Sequence, residues 1–231
     1  MRLSDRAIVL TKFFFPFILG FGAFGIWGLF SDTITKIWPL IIAYFFPPLG
    51  KETVIPLGIG ILKEGVNVPV LNIHVEPVSV DPLSIALAIA FVDIVVALFL
   101  VWNYDLAKKI PFVGKFIEKV EKIGKNSEDS YGWIKPLRFI GIILFVMVPF
   151  QGSGGLVGSI VGRLIGMKPA HTFCAISIGA VTGCLLIAYF SEAVISLFKT
   201  NLLQGLLVLI AIVIVGLMYW INRKNKKNNK K

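Results

Sequence analysis

The sequence predicts an all-α polytopic membrane protein with four full transmembrane helices and two opposed re-entrant helical hairpins in an inverted repeat. The chain is 56% hydrophobic over 231 residues, with a mean hydropathy of +0.84, which indicates a membrane protein. Two apolar stretches are interrupted by proline and glycine, and the basic residues concentrate between the apolar runs. No polar stretch is long enough for a separate soluble core, so residues 1–231 are expected to form one transmembrane domain.

Residues 13–30 form the first predicted span. They are eighteen uncharged residues, close to the roughly 20 residues that cross a hydrocarbon core of about 30 Å. A secretory signal peptide is the alternative, but the apolar run is long for a signal peptide and no small-x-small cleavage site follows it. We therefore predict a membrane span.

The first predicted hairpin covers residues 37–62 and contains YFFPPLGKETVIPLGIG at positions 44–60. Its prolines remove backbone donors and disfavour helix before them, and irregular backbone at membrane depth must be buried in protein or line a cavity. The ten residues before the prolines would form a helix of about 15 Å, half of a hydrocarbon core of about 30 Å. The chain is expected to turn near the midplane, with Glu52 at the tip. The other residues assigned to this tip are Pro47, Pro48, Gly50 and Pro56.

Residues 65–82 follow the hairpin, with valines that alternate with polar residues and proline. This pattern predicts extended structure outside the hydrocarbon. His74 and Glu76 are metal ligands by type, but two are too few for a structural zinc site, which takes four, so no metal site is predicted. Residues 83–102 form the next full span, with Asp93 at its centre, and complete a first repeat over about residues 37–102.

Residues 103–136 are a polar linker rich in lysine. Apolar side chains between Ile110 and Ile123 fall on one face of a helix, and lysines fall on the other. This pattern predicts an amphipathic helix that lies on the membrane surface. A helix that binds a partner protein is the alternative.

The second predicted repeat covers residues 137–190, and its hairpin covers residues 137–167. The residues assigned to this second tip are Pro149, Gln151, Gly152, Ser153, Gly154 and Gly155. Residues 170–190 form a span in which Gly179 and Gly183 make a small-xxx-small pair for helix contact. Cys174 and Cys184 lie ten residues apart on this span, too distant to bond each other, and are expected to be packing residues. Residues 201–222 form the last span, and residues 223–231 form a basic tail.

The basic residues predict the orientation of the chain. Three lie before the first span, eight lie in the linker through Arg138, and six lie in the tail. The positive-inside rule therefore predicts a multi-pass protein of the cell membrane with both termini and the linker in the cytoplasm. Four full spans agree with this orientation only if each hairpin returns to the side of the membrane from which it entered. The two hairpins then enter from opposite sides as an inverted repeat, a pattern that indicates a transport site near the midplane. The alternative is that each interrupted run is a distorted full span, which would leave Lys51 and Glu52 in the hydrocarbon at a cost of several kcal/mol.

Five charged residues are candidates for binding substrate or coupling a proton: Glu52, Asp93, Arg163, Lys51 and Arg138. Carboxylates within membrane segments are functional candidates by default, and Glu52 is the first choice, with a structural ion pair as its alternative. Asp93 either couples ions or pairs with hairpin backbone. Arg163 either holds an anionic group through its fork or extends to the interface. Arg138 is expected to anchor the topology, and Lys51 to offset Glu52.

The chain carries no recognisable catalytic set. It has no HExxH, CxxC or P-loop and no Ser/His/Asp arrangement, so an enzyme is not predicted. The glycines of GSGG at positions 152–155 expose backbone N–H groups that would suit an anion. Packing between the hairpin tips is the equal alternative.

The two interrupted runs, FPPLGKETVIPLGIG and VPFQGSGGLVGSIVGRLIGMKPAHTF, resemble the small multidrug export protein family, which is distantly similar to the DedA/SNARE-associated integral membrane proteins. The resemblance covers about residues 38–190. Gly50 and Glu52 resemble part of the DedA Pro-Gly-Glu motif, and Arg138 resembles the arginine that opens its second hairpin. Leu49 replaces the proline of that motif, and no second arginine lies in residues 151–155, so Arg163 is its candidate replacement.

The resemblance implies two opposed re-entrant hairpins and transport or scrambling of an amphipathic lipid or lipid phosphate, often driven by proton-motive force. The family name implies drug efflux instead. The first hypothesis is therefore a DedA-like transporter, the second is an exporter of cationic compounds, and the third is a membrane enzyme that acts on lipid-linked phosphate. The expected partners are membrane lipids, a small amphipathic substrate and a proton or sodium ion, with no nucleic acid and no cofactor. A homo-oligomer is compatible with all three hypotheses.

Overall fold

The computed structural model describes residues 3–46, 49–68, 73–75, 77, 80–108, 134–149, 154–200 and 218. The helices in this part of the chain are α1 (Leu3–Phe30), α2 (Thr33–Tyr44), α3 (Lys51–Glu64), α4 (Pro82–Lys108), α5 (Ile134–Met147), α6 (Gly155–Leu164) and α7 (Pro169–Thr200). Two short strands, β1 (Val66–Val68) and β2 (Ile73–Val75), follow α3. The chain divides into two compact units, Met1–Tyr189 and Phe190–Lys231, and the contacts described below lie within the first.

Within the described residues, three helices are long and apolar enough to cross a membrane: Ala7–Phe30, Pro82–Tyr104 and Pro169–Thr200. They correspond to the first three predicted full spans, so the chain is a helical multi-pass membrane protein. The span predicted over residues 170–190 is shorter than the helix. Helix α7 continues to Thr200, because no proline or glycine ends it earlier. The predicted span at residues 201–222 and the amphipathic helix of the linker lie outside the described residues.

Both predicted hairpins contain a helix, a break and a second helix. The first break lies between Tyr44 at the end of α2 and Lys51 at the start of α3, and the second break lies between Met147 at the end of α5 and Gly155 at the start of α6. The two helices pack against each other in both hairpins. The tip residues Pro47, Pro48, Gln151, Gly152 and Ser153 lie outside the described residues.

The tip assignment of Pro56 was wrong, whereas Gly155 lies at the edge of the second break. Pro56 lies inside α3, because a proline removes one backbone hydrogen bond and is tolerated in membrane helices whose neighbours compensate for it. Gly155 is the first residue of α6, while Gly50 and Gly154 are the N-cap residues of α3 and α6. Each break therefore ends at a glycine with extended backbone, one residue before a helix begins.

The extended segment predicted after the first hairpin is confirmed at two places. Strands β1 and β2 pair antiparallel, with Val66 opposite Val75 and Val68 opposite Ile73. Gly65 connects α3 to β1 with a φ of 67°, a backbone conformation that favours glycine. The chain thus leaves α3 through a sharp turn into a short hairpin of strands.

Helix α4 is the centre of the first unit. Helices α1, α2, α3 and α6 all pack against it, and rings from α1 contact it through pairs such as Phe17 and Phe99, whose centroids are 5.0 Å apart. The central position brings both breaks close to the same span.

Glycines bring the second hairpin close to α7. A Cβ on Gly179 would lie 2.7 Å from the Ile143 carbonyl oxygen, and one on Gly183 would lie 2.8 Å from the Met147 carbonyl oxygen. Real Cβ atoms do not approach so closely, so glycine is required for this contact, and the predicted packing role of the pair is confirmed. The end of α5, where the second break begins, is therefore fixed against α7.

Candidate functional site

Asp93 lies halfway along the apolar span Pro82–Tyr104 and is 2% exposed. Its Oδ1 accepts hydrogen bonds from the Tyr44 hydroxyl at 2.5 Å and from the Gly155 N–H at 2.8 Å. Its Oδ2 is buried and has no hydrogen-bond partner among the described residues. One oxygen of the carboxylate thus accepts from two donors, and the other is buried without a donor among the described residues. We call this second oxygen, Oδ2, the open oxygen. We call Tyr44, Asp93, Gly154 and Gly155 the Asp93 site.

The two breaks bring the donors to Asp93. Tyr44 is the last residue of α2, directly before the first break, and Gly155 begins α6, directly after the second. The N–H groups of a first helical turn lack helical partners, and the positive end of the helix dipole favours an anion. The predicted alternative for Asp93, pairing with hairpin backbone, is therefore what the structure has.

Space is tight at both glycines that touch this site, Gly154 at the end of the second break and Gly155 at the start of α6. A Cβ on Gly154 would lie 2.7 Å from the Tyr44 hydroxyl and 2.8 Å from Asp93 Oδ1. A Cβ on Gly155 would overlap the backbone carbonyl of Asp93. The N–H of Gly155 serves the carboxylate of this same chain, so it is not free for an external anion.

Lys51, the first residue of α3, is 1% exposed. Its ammonium group donates a hydrogen bond to the Val146 carbonyl in the last turn of α5. Lys51 was expected to offset Glu52, and the structure gives its ammonium group a further partner in Val146. The carbonyls of a last helical turn lack helical partners, and such a carbonyl is a good acceptor for a buried ammonium group.

Glu52 lies in the first turn of α3, directly after the first break. It is half-buried, and its carboxylate folds back so far that a Cβ on Gly50 would overlap it. A carboxylate at a helix N-terminus is favoured by the dipole. Glu52 is thus close to the predicted tip, but the site at the centre of α4 is formed around Asp93.

The two arginines lie away from Asp93. Arg163, at the opposite end of α6 from Gly155, donates from Nη1 to the Met167 carbonyl at 2.8 Å and lies 4.9 Å from the centre of the Tyr104 ring. Arg138 donates from Nη1 to the Ile165 carbonyl at 2.8 Å. Both arginines therefore bind the turn after α6. The five predicted residues separate into Lys51, Glu52 and Asp93 near the breaks and Arg138 and Arg163 near this turn.

The sequence argument did not place three residues near the Asp93 site. Tyr44 is a partner of Asp93, Ser159 donates to the Gly155 carbonyl at 2.5 Å, and Cys184 on α7 is fully buried and within electrostatic range of Asp93. A single tyrosine at the end of an apolar run was the available signal for Tyr44. The expectation that both cysteines are packing residues holds for Cys184, while Cys174 is exposed.

An apolar groove of about 450 Å³ lies beside the Asp93 site. Three of its residues, Phe45, Val92 and Leu156, directly adjoin Tyr44, Asp93 and Gly155 in the chain. The remaining lining comes from α1, α2 and α4 and is mostly aromatic or branched: Pro16, Phe17, Gly20, Phe21, Phe24, Trp38, Ile41, Val95, Val96, Phe99 and Leu100. The groove is suited to the apolar part of an amphipathic molecule.

Comparison with known proteins gives one match. A family model described as "Putative small multi-drug export protein" matches residues 52–186, which is more than half of the chain. The match includes Glu52, Asp93, α6 and most of the apolar part of α7. No curated protein and no solved structure matches the chain.

Proposed function

The chain belongs to the small multi-drug export family, and we propose that it is an ion-coupled membrane transporter that exports small cationic amphipathic compounds in exchange for protons. The observation that carries this proposal is the open oxygen of Asp93. A buried carboxylate oxygen without a donor is unfavourable in a low-dielectric interior. A proton or a cationic group at Oδ2 would relieve this cost, while Oδ1 keeps both of its hydrogen bonds.

Competition between the two ligands would provide the coupling. A proton and a cationic group cannot occupy the same oxygen together, so binding of one releases the other. The apolar groove beside the site would accommodate the ring system of the cargo. Lys51 is already bound to the Val146 carbonyl. Of the two charged groups, the one with an atom left without a partner among the described residues is therefore the Asp93 carboxylate.

The paired breaks support a transport mechanism of alternating access. Two interrupted helical elements, each with its two helices packed together, adjoin one central span, and such pairs accompany midplane sites in transporters with inverted repeats. In this proposal the hairpins enter from opposite sides, both termini are cytoplasmic and the protein resides in the cell membrane. The two hairpins would then open the Asp93 site to one side at a time.

The choice between Glu52 and Asp93 favours Asp93. Glu52 is half-buried in the first turn of α3, whereas Asp93 is buried at the middle of a span. Glu52 stays a candidate for a second protonation step on the path to the site. Arg138 and Arg163, both bound to the turn after α6, would serve the cytoplasmic end of the path.

Translocation of a lipid is the second candidate function. The DedA-like hypothesis gains support from the apolar groove, whose volume of about 450 Å³ and aromatic and branched lining suit an acyl chain. The proposal that Arg163 replaces the missing DedA arginine belongs to this candidate, because an arginine fork suits a phosphate head group. The buried carboxylate with an open oxygen favours the cation exporter over it.

Reconstituted vesicles distinguish the two candidates. The purified protein is placed in liposomes with an acidic lumen, and uptake of the fluorescent aromatic cation ethidium is followed. Uptake should collapse when the pH gradient is removed and should be lost in Asp93→Asn. Asp32→Asn is the matched control, since Asp32 is exposed and caps nothing with its side chain. If the vesicles take up no ethidium but flip a labelled phospholipid rapidly, the exporter is rejected in favour of lipid translocation.

A further inference from the structure

Lys51 connects the two breaks. It begins α3, directly after the first break, yet its ammonium group binds Val146 in the last turn of α5, directly before the second break. Among the residues whose burial is described, Lys51 is also the largest fully buried side chain. A lysine is rarely buried to this extent unless it is paired. Burial of Lys51 costs free energy, and the hydrogen bond to Val146 offsets part of that cost.

The charges on either side of the second break have opposite sign and match the helix ends. The Lys51 ammonium lies at the C-terminal end of α5, where the helix dipole is negative, and the Asp93 carboxylate lies at the N-terminal end of α6, where it is positive. The two groups are within electrostatic range of each other. Their hydrogen bonds attach the last turn of α5 to α3 and the first turn of α6 to α4.

We infer that Lys51 is a positioning residue that holds the two breaks together, so that water reaches the Asp93 site only when the contact between Lys51 and Val146 opens. The physical reason is that a buried ammonium group without an acceptor is costly. The contact between Lys51 and Val146 can therefore open only if water replaces the Val146 carbonyl as the acceptor. This water enters at the Asp93 site. The inference rests on the proposed role of Asp93 in transport, but its test does not require transport.

The chain contains a native reporter for this test. Cys184 is fully buried on α7 and is within electrostatic range of both Lys51 and Asp93. Its neighbour Gly183 lies against the Met147 carbonyl at the end of α5. A thiol reacts with maleimide as the thiolate, so Cys184 should react only when water enters. Cys174 is exposed and is removed by Cys174→Ser, which leaves one thiol.

The experiment measures the maleimide labelling rate of Cys184 in membranes from the Cys174→Ser parent and from Lys51 variants in that background. Lys51→Met keeps the length and apolar stem but cannot donate, and should label at least about tenfold faster as the open population rises. Lys51→Arg keeps a charged donor and should stay within about twofold of the parent. Lys36→Met is the matched control, since Lys36 is an exposed lysine on α2.

An unchanged labelling rate in folded Lys51→Met would overturn the inference. Should Lys51→Met not accumulate as folded protein, Lys51→Leu takes its place: its shorter apolar side chain has no donor, and parent-like protection of Cys184 in it would equally overturn the inference. Loss of ethidium transport with Cys184 still protected would reject the role of Lys51 and leave the proposed function intact. Exposure of Cys184 in vesicles that never transport ethidium would support Lys51 and reject the proposed function.

Discussion

The hydroxyl of Tyr44 donates to Asp93 Oδ1 at 2.5 Å, and this hydrogen bond joins the end of α2 to the centre of α4. The two residues are 49 positions apart in the chain. When Asp93 is ionised, this O–H to carboxylate hydrogen bond is charge-assisted, and such bonds are shorter and stronger than neutral ones. It connects the first break to the same oxygen that the second break reaches through Gly155.

Removal of the tyrosine hydroxyl should weaken the fold and the site together. Tyr44→Phe keeps the ring but leaves Oδ1 with one donor, so we expect a loss of about 1.5–3 kcal/mol, as for hydrogen bonds to charged groups. The midpoint of thermal unfolding in detergent should fall, and ethidium transport should decrease. Tyr189→Phe is the matched control, since Tyr189 is exposed on α7. Equal unfolding midpoints for the two variants would show that the bond to Asp93 contributes nothing.

Addition of a methyl group at Gly155 should separate α6 from α4. The Cβ would overlap the backbone carbonyl of Asp93, and backbone cannot move aside as a flexible side chain can. We expect Gly155→Ala to fold poorly or to lose transport, as measured by yield after size-exclusion chromatography and by ethidium uptake. Gly141→Ala is the matched control, because a Cβ there meets nothing within 4 Å. That change should be neutral or should stabilise α5 by up to about 1 kcal/mol through helix propensity. The idea of a tight contact fails if both alanine variants behave alike.

The two carboxylates should differ in their effect on proton-driven transport. Asp93→Asn removes the open anionic oxygen, so it should abolish exchange at every pH tested. Glu52→Gln removes a half-buried carboxylate at the start of α3, and should retain part of the activity with an altered pH profile. The measurement is ethidium uptake over a range of external pH. Normal transport in Asp93→Asn and none in Glu52→Gln would return the coupling role to Glu52, the first choice from the sequence alone.

The proposed re-entrant topology predicts the sidedness of the first hairpin. Lys36 at the start of α2 and Glu64 at the end of α3 should lie on the same, external side of the membrane. Single cysteines at these positions, in a background without Cys174 and Cys184, should both react with a membrane-impermeant maleimide added outside the cell. A cysteine near Lys125 in the linker should react only after the cytoplasmic side is opened. Labelling of positions 36 and 64 from opposite faces would mean that this segment crosses the membrane once.

The sequence determined much of the local architecture. The apolar runs predicted the three long helices, and the proline and glycine clusters predicted both breaks, because each of these signals acts within a few residues of the chain. The alternating valines predicted the extended segment that contains β1 and β2. The two interrupted motifs also predicted the family, which the match over residues 52–186 confirms.

The tertiary structure alone decided the partners of the buried charges. Lys51 and Glu52 are adjacent in the chain, and local reasoning paired them, yet Lys51 binds Val146, 95 positions away. Asp93 takes its donors from Tyr44 and Gly155, which belong to two different hairpins. These contacts depend on which helix ends meet across α4, a relation that no local pattern encodes. The sequence therefore determined where the chain breaks, and only the packing of the breaks decided that Asp93 is the residue with an open oxygen.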